Sequence, residues 1–215
     1  MILLAPFLLA FPLAERVELR TEDKFLVVGE FHAPKGLSKG ARAPAVLLLH
    51  DAKGSRADVA TIAEALAASK IGALRIDLRG HGESKTSEGS KEPYDFKMAD
   101  FKGDKPFLKM HRDLRAAIEH LQGRDDVDPE TLGILGLGSG GSLAIHFAAG
   151  EEKLRAVVAV CPPGVSDRGF DLAQDLRKVG ARQVLVVCDK TGEPLAQDLK
   201  KFAALATDAK PVEIR

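Results

Sequence analysis

Leu132-Gly133-Ile134-Leu135-Gly136-Leu137-Gly138-Ser139-Gly140-Gly141-Ser142 reads as a buried strand that passes through a glycine-rich turn into a helix. Its opening apolar run suits a strand covered on both faces. The glycines allow a sharp turn and a close approach of the helix to the strand. Ser139 and Ser142 stand where side chains cap or pack the start of that helix.

Working outward, Val17 to Arg20 and Phe25 to Phe31 alternate around Thr21-Glu22-Asp23-Lys24, which predicts an N-terminal hairpin. Ala45 to His50 is a second buried strand. Ser55, with Asp58 three residues on, predicts a capped helix carrying Val59, Ile62, Ala63 and Leu66 at helical spacing. Ile71 to Asp77 is the next strand, and the polar Glu83 to Lys105 reads as a long surface excursion. Leu114, Ile118 and Leu121 mark a helix from about His111 to Gln122. Thr131 to Gly136 is the strand of the opening stretch, and Gly140 to Ala149 its helix. Leu154 to Cys161 and Gln183 to Cys188 are further strands, with a helix near Asp171 to Lys178 between them. Leu195 to Leu205 predicts a last helix and Val212 to Arg215 a final strand.

Strands alternating with helices after a hairpin predict an α/β fold: a mostly parallel sheet with helices on both faces. Ligands of such sheets bind beyond the carboxyl ends of the strands. The segments expected there are His50-Asp51-Ala52, the Asp77 to Ser84 loop, Gly138-Ser139, Cys161-Pro162-Pro163 and Asp189 to Glu193.

Composition narrows the partners. Lys+Arg and Asp+Glu number 31 each, a balance that argues against a nucleic-acid partner. There are no heptads, repeats or low-complexity tracts. The two cysteines cannot supply a disulfide framework and are expected to be small buried hydrophobes at the ends of neighbouring strands. No His/Cys/Asp cluster has metal-ligand spacing, so no metal is expected. Met1 to Ala14 carries no charged side chain and is too short to span a membrane, which takes about 20 residues. It reads as a signal peptide cut after Ala14, implying export to the periplasm or beyond; the alternative is a cytoplasmic protein with a short apolar N-terminal segment. Residues 15–215 are expected to form a single domain.

Several of these segments together resemble the α/β-hydrolase superfamily, especially its dienelactone-hydrolase-like and small bacterial esterase branches. The strand ending in His50-Asp51, with Gly54-Ser55 opening a helix, is similar to the family's oxyanion-loop segment. Asp77-Leu78-Arg79-Gly80-His81-Gly82-Glu83-Ser84 resembles its D-x-R-G-x-G-x-S loop. Asp113-Leu114-Arg115-Ala116-Ala117-Ile118 resembles the helix that precedes the nucleophile strand. The resemblance covers roughly Val17 to Arg215 and implies hydrolysis of carboxylic esters or related acyl bonds, with no cofactor.

The catalytic residues do not carry over. Aligned on Gly136 and Gly140, the family's G-x-S-x-G elbow has Gly138 at the serine. The histidine expected after the last strand has no counterpart beyond His146. Asp189 or Glu193 stands near the place of the acid. Ser139 would serve only as a displaced nucleophile; in the family this position lends its backbone N–H to the oxyanion hole. His146 falls inside the helix after the elbow, and His111 and His120 on the helix before it. His50 and His81 lie at strand ends, where the family uses them mainly for structure.

The expectation is therefore a catalytically incomplete member acting as a binding or scaffold protein, with a small acyl or anionic ligand in a pocket formed by His50, Asp51, Ala52, His81, Gly138, Ser139 and Gly140. With no side chain at Gly138, the helix N-terminus would stand open to a carboxylate or phosphate. An active esterase using Ser139 is the alternative. Gly136 to Gly141 also fits G-x-G-x-x-G, which raises a dinucleotide site. The next strand, however, ends in Cys161-Pro162-Pro163 without the ribose-binding acid such a site uses.

Overall fold

The computed structural model describes residues 14–90, 92–94, 105–163, 166–167, 170–180, 182–188 and 213–214. Strands β1 (Glu15–Arg20) and β2 (Phe25–His32) form the expected antiparallel hairpin. β3 (Ala43–Leu49) and β4 (Gly72–Ile76) flank helix α1 (Ala60–Ala68). The short β5 (Thr86–Ser87) pairs with β2, so the excursion after Glu83 returns to the sheet before α2 (Lys105–Gln122). β6 (Val127–Leu137), α3 (Ser139–Gly150) and β7 (Leu154–Val160) follow. β8 (Ser166–Asp167) and β9 (Phe170–Asp171) form a separate small ribbon. α4 (Leu172–Val179), β10 (Gln183–Val187) and β11 (Glu213–Ile214) complete the described elements. The expected Leu195 to Leu205 helix lies outside the described residues.

The main sheet has the order β1-β2-β4-β3-β6-β7-β10-β11. β2 runs antiparallel to β4, and every pairing from β4 to β11 is parallel. Period-two alternation on the central strands divides the core between the two faces. Leu47 and Leu49 of β3 join Ile134 of β6 in the cluster that holds Met110, Leu114, Ile118 and Leu121 of α2 and Leu143 and Phe147 of α3. Leu48 points the other way, to Val59 and Ala63, with Ile62 and Leu66 of α1 packed beside them. Helices therefore cover both faces. Each fully buried Leu of this core, such as Leu47 or Leu114, removes apolar surface that stabilises the fold by about 1.5–3 kcal/mol.

The starts of α2 and β6 lie several residues before the sequence expectation. α2 begins at Lys105 rather than His111, because Pro106 is tolerated in a first helical turn. β6 begins at Val127 rather than Thr131, with Val127 paired to Ala43 ahead of a register shift. Among the described residues no helix is long and apolar enough to cross a membrane.

Candidate functional site

The carboxyl ends of β3, β4, β6 and β7 converge on the turn between β6 and α3. Gly138 holds φ 53° and ψ −125°, a backbone state that costs most side chains about 1–3 kcal/mol. Its N–H donates to Val160 O at 2.8 Å, and its carbonyl accepts from Gly141 N at 2.9 Å. The neighbouring glycines are required by the chain itself. A Cβ on Gly136 would lie 2.1 Å from Gly140 O, and one on Gly140 would lie 2.3 Å from His50 O. Of the G-x-G-x-x-G glycines, Gly136 and Gly141 also face each other closely, since a Cβ on Gly141 would lie 3.1 Å from Gly136 O; packing of α3 on the sheet uses both.

The space beside Gly138 is already filled. A Cβ there would sit 2.3 Å from Asp51 Oδ1 and 2.5 Å from Asp51 Cγ. That same Oδ1 accepts the Ser139 N–H at 2.7 Å. The helix N-terminus expected to stand open to an external anion is capped instead by the chain's own carboxylate, a favourable partner for the positive end of a helix. Asp51 is solvent-exposed, whereas Ser139 is buried at 4% exposure as the first residue of α3.

The histidines near the turn are tied to backbone. His50 is fully buried; its Nε2 accepts the Leu78 N–H at 3.0 Å, which leaves Nδ1–H to donate to Asp51 O at 2.6 Å. Burial lowers its pKa, so the neutral ring fits both bonds. His81 directs Nδ1 at Arg79 O (3.1 Å) and Nε2 at Ala52 O (2.9 Å). The two rings lie 4.9 Å apart and fasten the Asp51-Ala52 turn to the loop after β4.

That loop is a structural joint. Asp77 Oδ1 accepts the Arg56 N–H (2.7 Å), and its Oδ2 takes the Arg56 guanidinium and the Glu83 N–H. Gly82, at φ +47°, must be glycine because a Cβ would fall 2.1 Å from Asp77 Oδ2. Ser84 Oγ accepts from Val28 N (2.8 Å) and donates to Asp77 O (2.7 Å). Arg79 reaches Asp113 Oδ1 through Nε (2.8 Å) and a terminal nitrogen (2.6 Å), and its N–H donates to Asp113 Oδ2 (3.0 Å). Full burial pushes the Asp113 carboxyl up to about 6 against the pull of Arg79.

A third polar group, between α2, α3 and α4, is one the sequence reading did not assemble. His146 Nδ1 meets Asp175 Oδ2 at 2.6 Å, and the His111 ring lies 4.9 Å from the His146 ring. Burial, then the charge of His146 and Arg115, lowers His111 to about 4, with Asp175 opposing. Seven helical residues separate His146 from Ser139, roughly 10 Å along the axis, so this group does not serve the turn.

Cys161 and Cys188 do end neighbouring strands, but neither is fully buried. Cys161 is exposed, because its φ of 49° turns it out of the strand, and Cys188 is half-buried against the core. Asp189 and Glu193 lie outside the described residues. Among the described residues no group of three or more His, Cys, Asp or Glu could hold a metal ion. A cleft of 310 Å³ lined by Ala33, Pro34, Leu37 and Asp126 opens at the amino edge of the parallel strands, away from the turn.

A model of the dienelactone hydrolase family matches residues 31–182. YtaP of Bacillus subtilis (strain 168), whose name classes it with the hydrolases, is 31% identical over 90 residues; these make up 42% of this chain and 29% of that protein. The chain thus matches less than a third of that relative's length. The dienelactone hydrolase of Anabaena variabilis superposes with TM-score 0.66 at 18% identity, over 95% of this chain and 86% of that one. The dienelactone hydrolase-like promiscuous phosphotriesterase P91, from metagenomic libraries, gives 0.67 at 21% identity, over 94% and 80%. At these identities the two structures are evidence of a shared fold, an α/β-hydrolase sheet.

Proposed function

The chain belongs to the dienelactone hydrolase family, and we propose that within it this protein binds small acyl or anionic compounds without cleaving them. The observation that carries the proposal is the Asp51 carboxylate on the Ser139 amide, 2.7 Å away, in the space that a side chain at Gly138 would need. Acyl transfer needs a nucleophile over the sheet and an unoccupied amide for the oxyanion. Gly138 supplies no nucleophile, and the amide opens to an oxygen of a ligand only when Asp51 leaves it. His50 and His81 direct their ring nitrogens at backbone groups rather than at Ser139.

Binding uses the same amide. Because Asp51 is exposed, its side chain can rotate into water and yield Ser139 N–H to a ligand carboxylate. Asp51 therefore acts as an internal competitor, and its charge also repels the incoming anion. Two unit charges about 4 Å apart in water repel by about 1 kcal/mol, so Asp51→Ala should tighten carboxylate binding roughly fivefold.

The test pairs two assays on the folded protein. Turnover of p-nitrophenyl esters and small lactones is expected to equal that of Ser139→Ala. Titration with short-chain carboxylates and inorganic phosphate is expected to give binding that strengthens in Asp51→Ala. Turnover lost in Ser139→Ala would overturn the proposal, and so would absence of anion binding in both the wild type and Asp51→Ala.

A further inference from the structure

We propose that Cys161 and Cys188 are an oxidisable pair, closing a disulfide across the carboxyl edge of the sheet when a small-molecule disulfide is the oxidant. They are the two cysteines of the chain. Each stands one residue beyond a strand. β7 ends at Val160 and β10 at Val187, and these two residues are direct partners in parallel register. Cys161 and Cys188 are therefore the next register positions. Backbone contact continues there, since the Cys161 N–H donates to Val187 O at 2.7 Å. Adjacent strands run about 4.8 Å apart. That lies within the roughly 4.4–6.8 Å between Cα atoms that a disulfide spans.

The two thiols differ in a way that sets the order of reaction. Cys161 is exposed on a left-handed turn, φ 49°, and meets the oxidant first. Cys188 is half-buried against the core and acts second. The Cys161 thiolate attacks one sulfur of the oxidant, forming a mixed disulfide and expelling one thiolate. The Cys188 thiolate then attacks the Cys161 sulfur, forming the protein disulfide and expelling the second. The protein gives up two protons and two electrons, and the oxidant's disulfide becomes two thiols. The bond closes the segment between the two cysteines, which carries α4, into a loop. It also fixes the end of β7, where Val160 O accepts the Gly138 N–H at 2.8 Å, so oxidation braces the turn from that side.

The experiment incubates the folded full chain with oxidised glutathione, without denaturant, and reads intact mass and alkylatable thiols. Wild type is expected to lose the mass of two hydrogens and both reactive thiols, with a melting temperature that rises and falls back with dithiothreitol. Cys188→Ser is expected to stop at a single glutathione adduct, on Cys161. Wild type that retains glutathione, keeps both thiols while Cys188→Ser is modified, or forms a disulfide-linked dimer overturns the proposal.

Discussion

Placing a serine at position 138 of the turn is expected to destabilise the protein, and to do so less when Asp51 is removed first. In Gly138→Ser the new Cβ lies 2.3 Å from Asp51 Oδ1, so the carboxylate must leave the Ser139 N–H. The lost bond has a charged acceptor but sits at an exposed residue, which puts it at the low end of its class, about 1.5 kcal/mol. The backbone state, φ 53° with ψ −125°, adds about 2 kcal/mol for any side chain. Gly138→Ser should therefore cost about 3.5 kcal/mol, and Asp51→Ala alone about 1.5 kcal/mol. The double variant loses the hydrogen bond once, so its cost should stay near 3.5 kcal/mol instead of the additive value of about 5. Urea denaturation of the four proteins, followed by far-ultraviolet circular dichroism because the chain has no Trp, measures the cycle. A coupling of about 1.5 kcal/mol is expected, while additivity within about 0.5 kcal/mol would refute the placement of Asp51 beside Gly138.

The remaining predictions concern the joints and the N-terminus. His111 binds a proton at about 4 in the fold against 6.5 as its ordinary value. The unfolded chain therefore takes up that proton first as pH falls, and stability drops below pH 6.5. Between pH 7 and pH 4 the wild type should lose about 3 kcal/mol more than His111→Gln; parallel pH profiles of the two would refute this. Asp113→Ala deprives the buried Arg79 guanidinium of the fully buried one of its two carboxylate partners and should cost about 3–5 kcal/mol in urea denaturation, with Asp113→Asn intermediate. A midpoint within error of the wild type would show that Asp23 alone satisfies Arg79. β1 begins at Glu15, and N-terminal sequencing of protein secreted by an expression host should read from Glu15. Recovery of Met1 on soluble protein in the cytoplasm would refute export.

The fold was legible because its determinants are local. Ser55 and Asp58 form the capping box that their spacing predicts, each bonding the other's backbone. Continuous apolar runs marked β3 and β6 as strands covered on both faces, as the two core clusters bear out, and Gly80 and Gly82 stand at positive φ in their loop. Two of the missed boundaries hold a proline: Pro129 argues against a strand that pairing of β6 with β3 imposes, and Pro106 sits in a first helical turn that the apolar spacing of α2 does not mark. The site was legible only in outline. Gly138 marked the turn, but nothing near it in sequence says that Asp51 fills the space beside it, because the Ser139–Asp51 contact joins residues 88 apart. The His146–Asp175 bond joins two helices in the same way, across 29 residues. Cys161 looked buried because it ends an apolar run; Pro162-Pro163 signal a turn there but not the positive φ that exposes the thiol.

Covalent labelling tests the central claim most directly. The folded protein, wild type and Ser139→Ala, is exposed to a fluorophosphonate that traps activated serines, and intact mass is recorded. The account predicts no adduct on either protein, since Ser139 is buried at the head of α3 and its amide is held by Asp51. A single adduct on the wild type that disappears in Ser139→Ala would contradict it and make the protein a hydrolase with a displaced nucleophile.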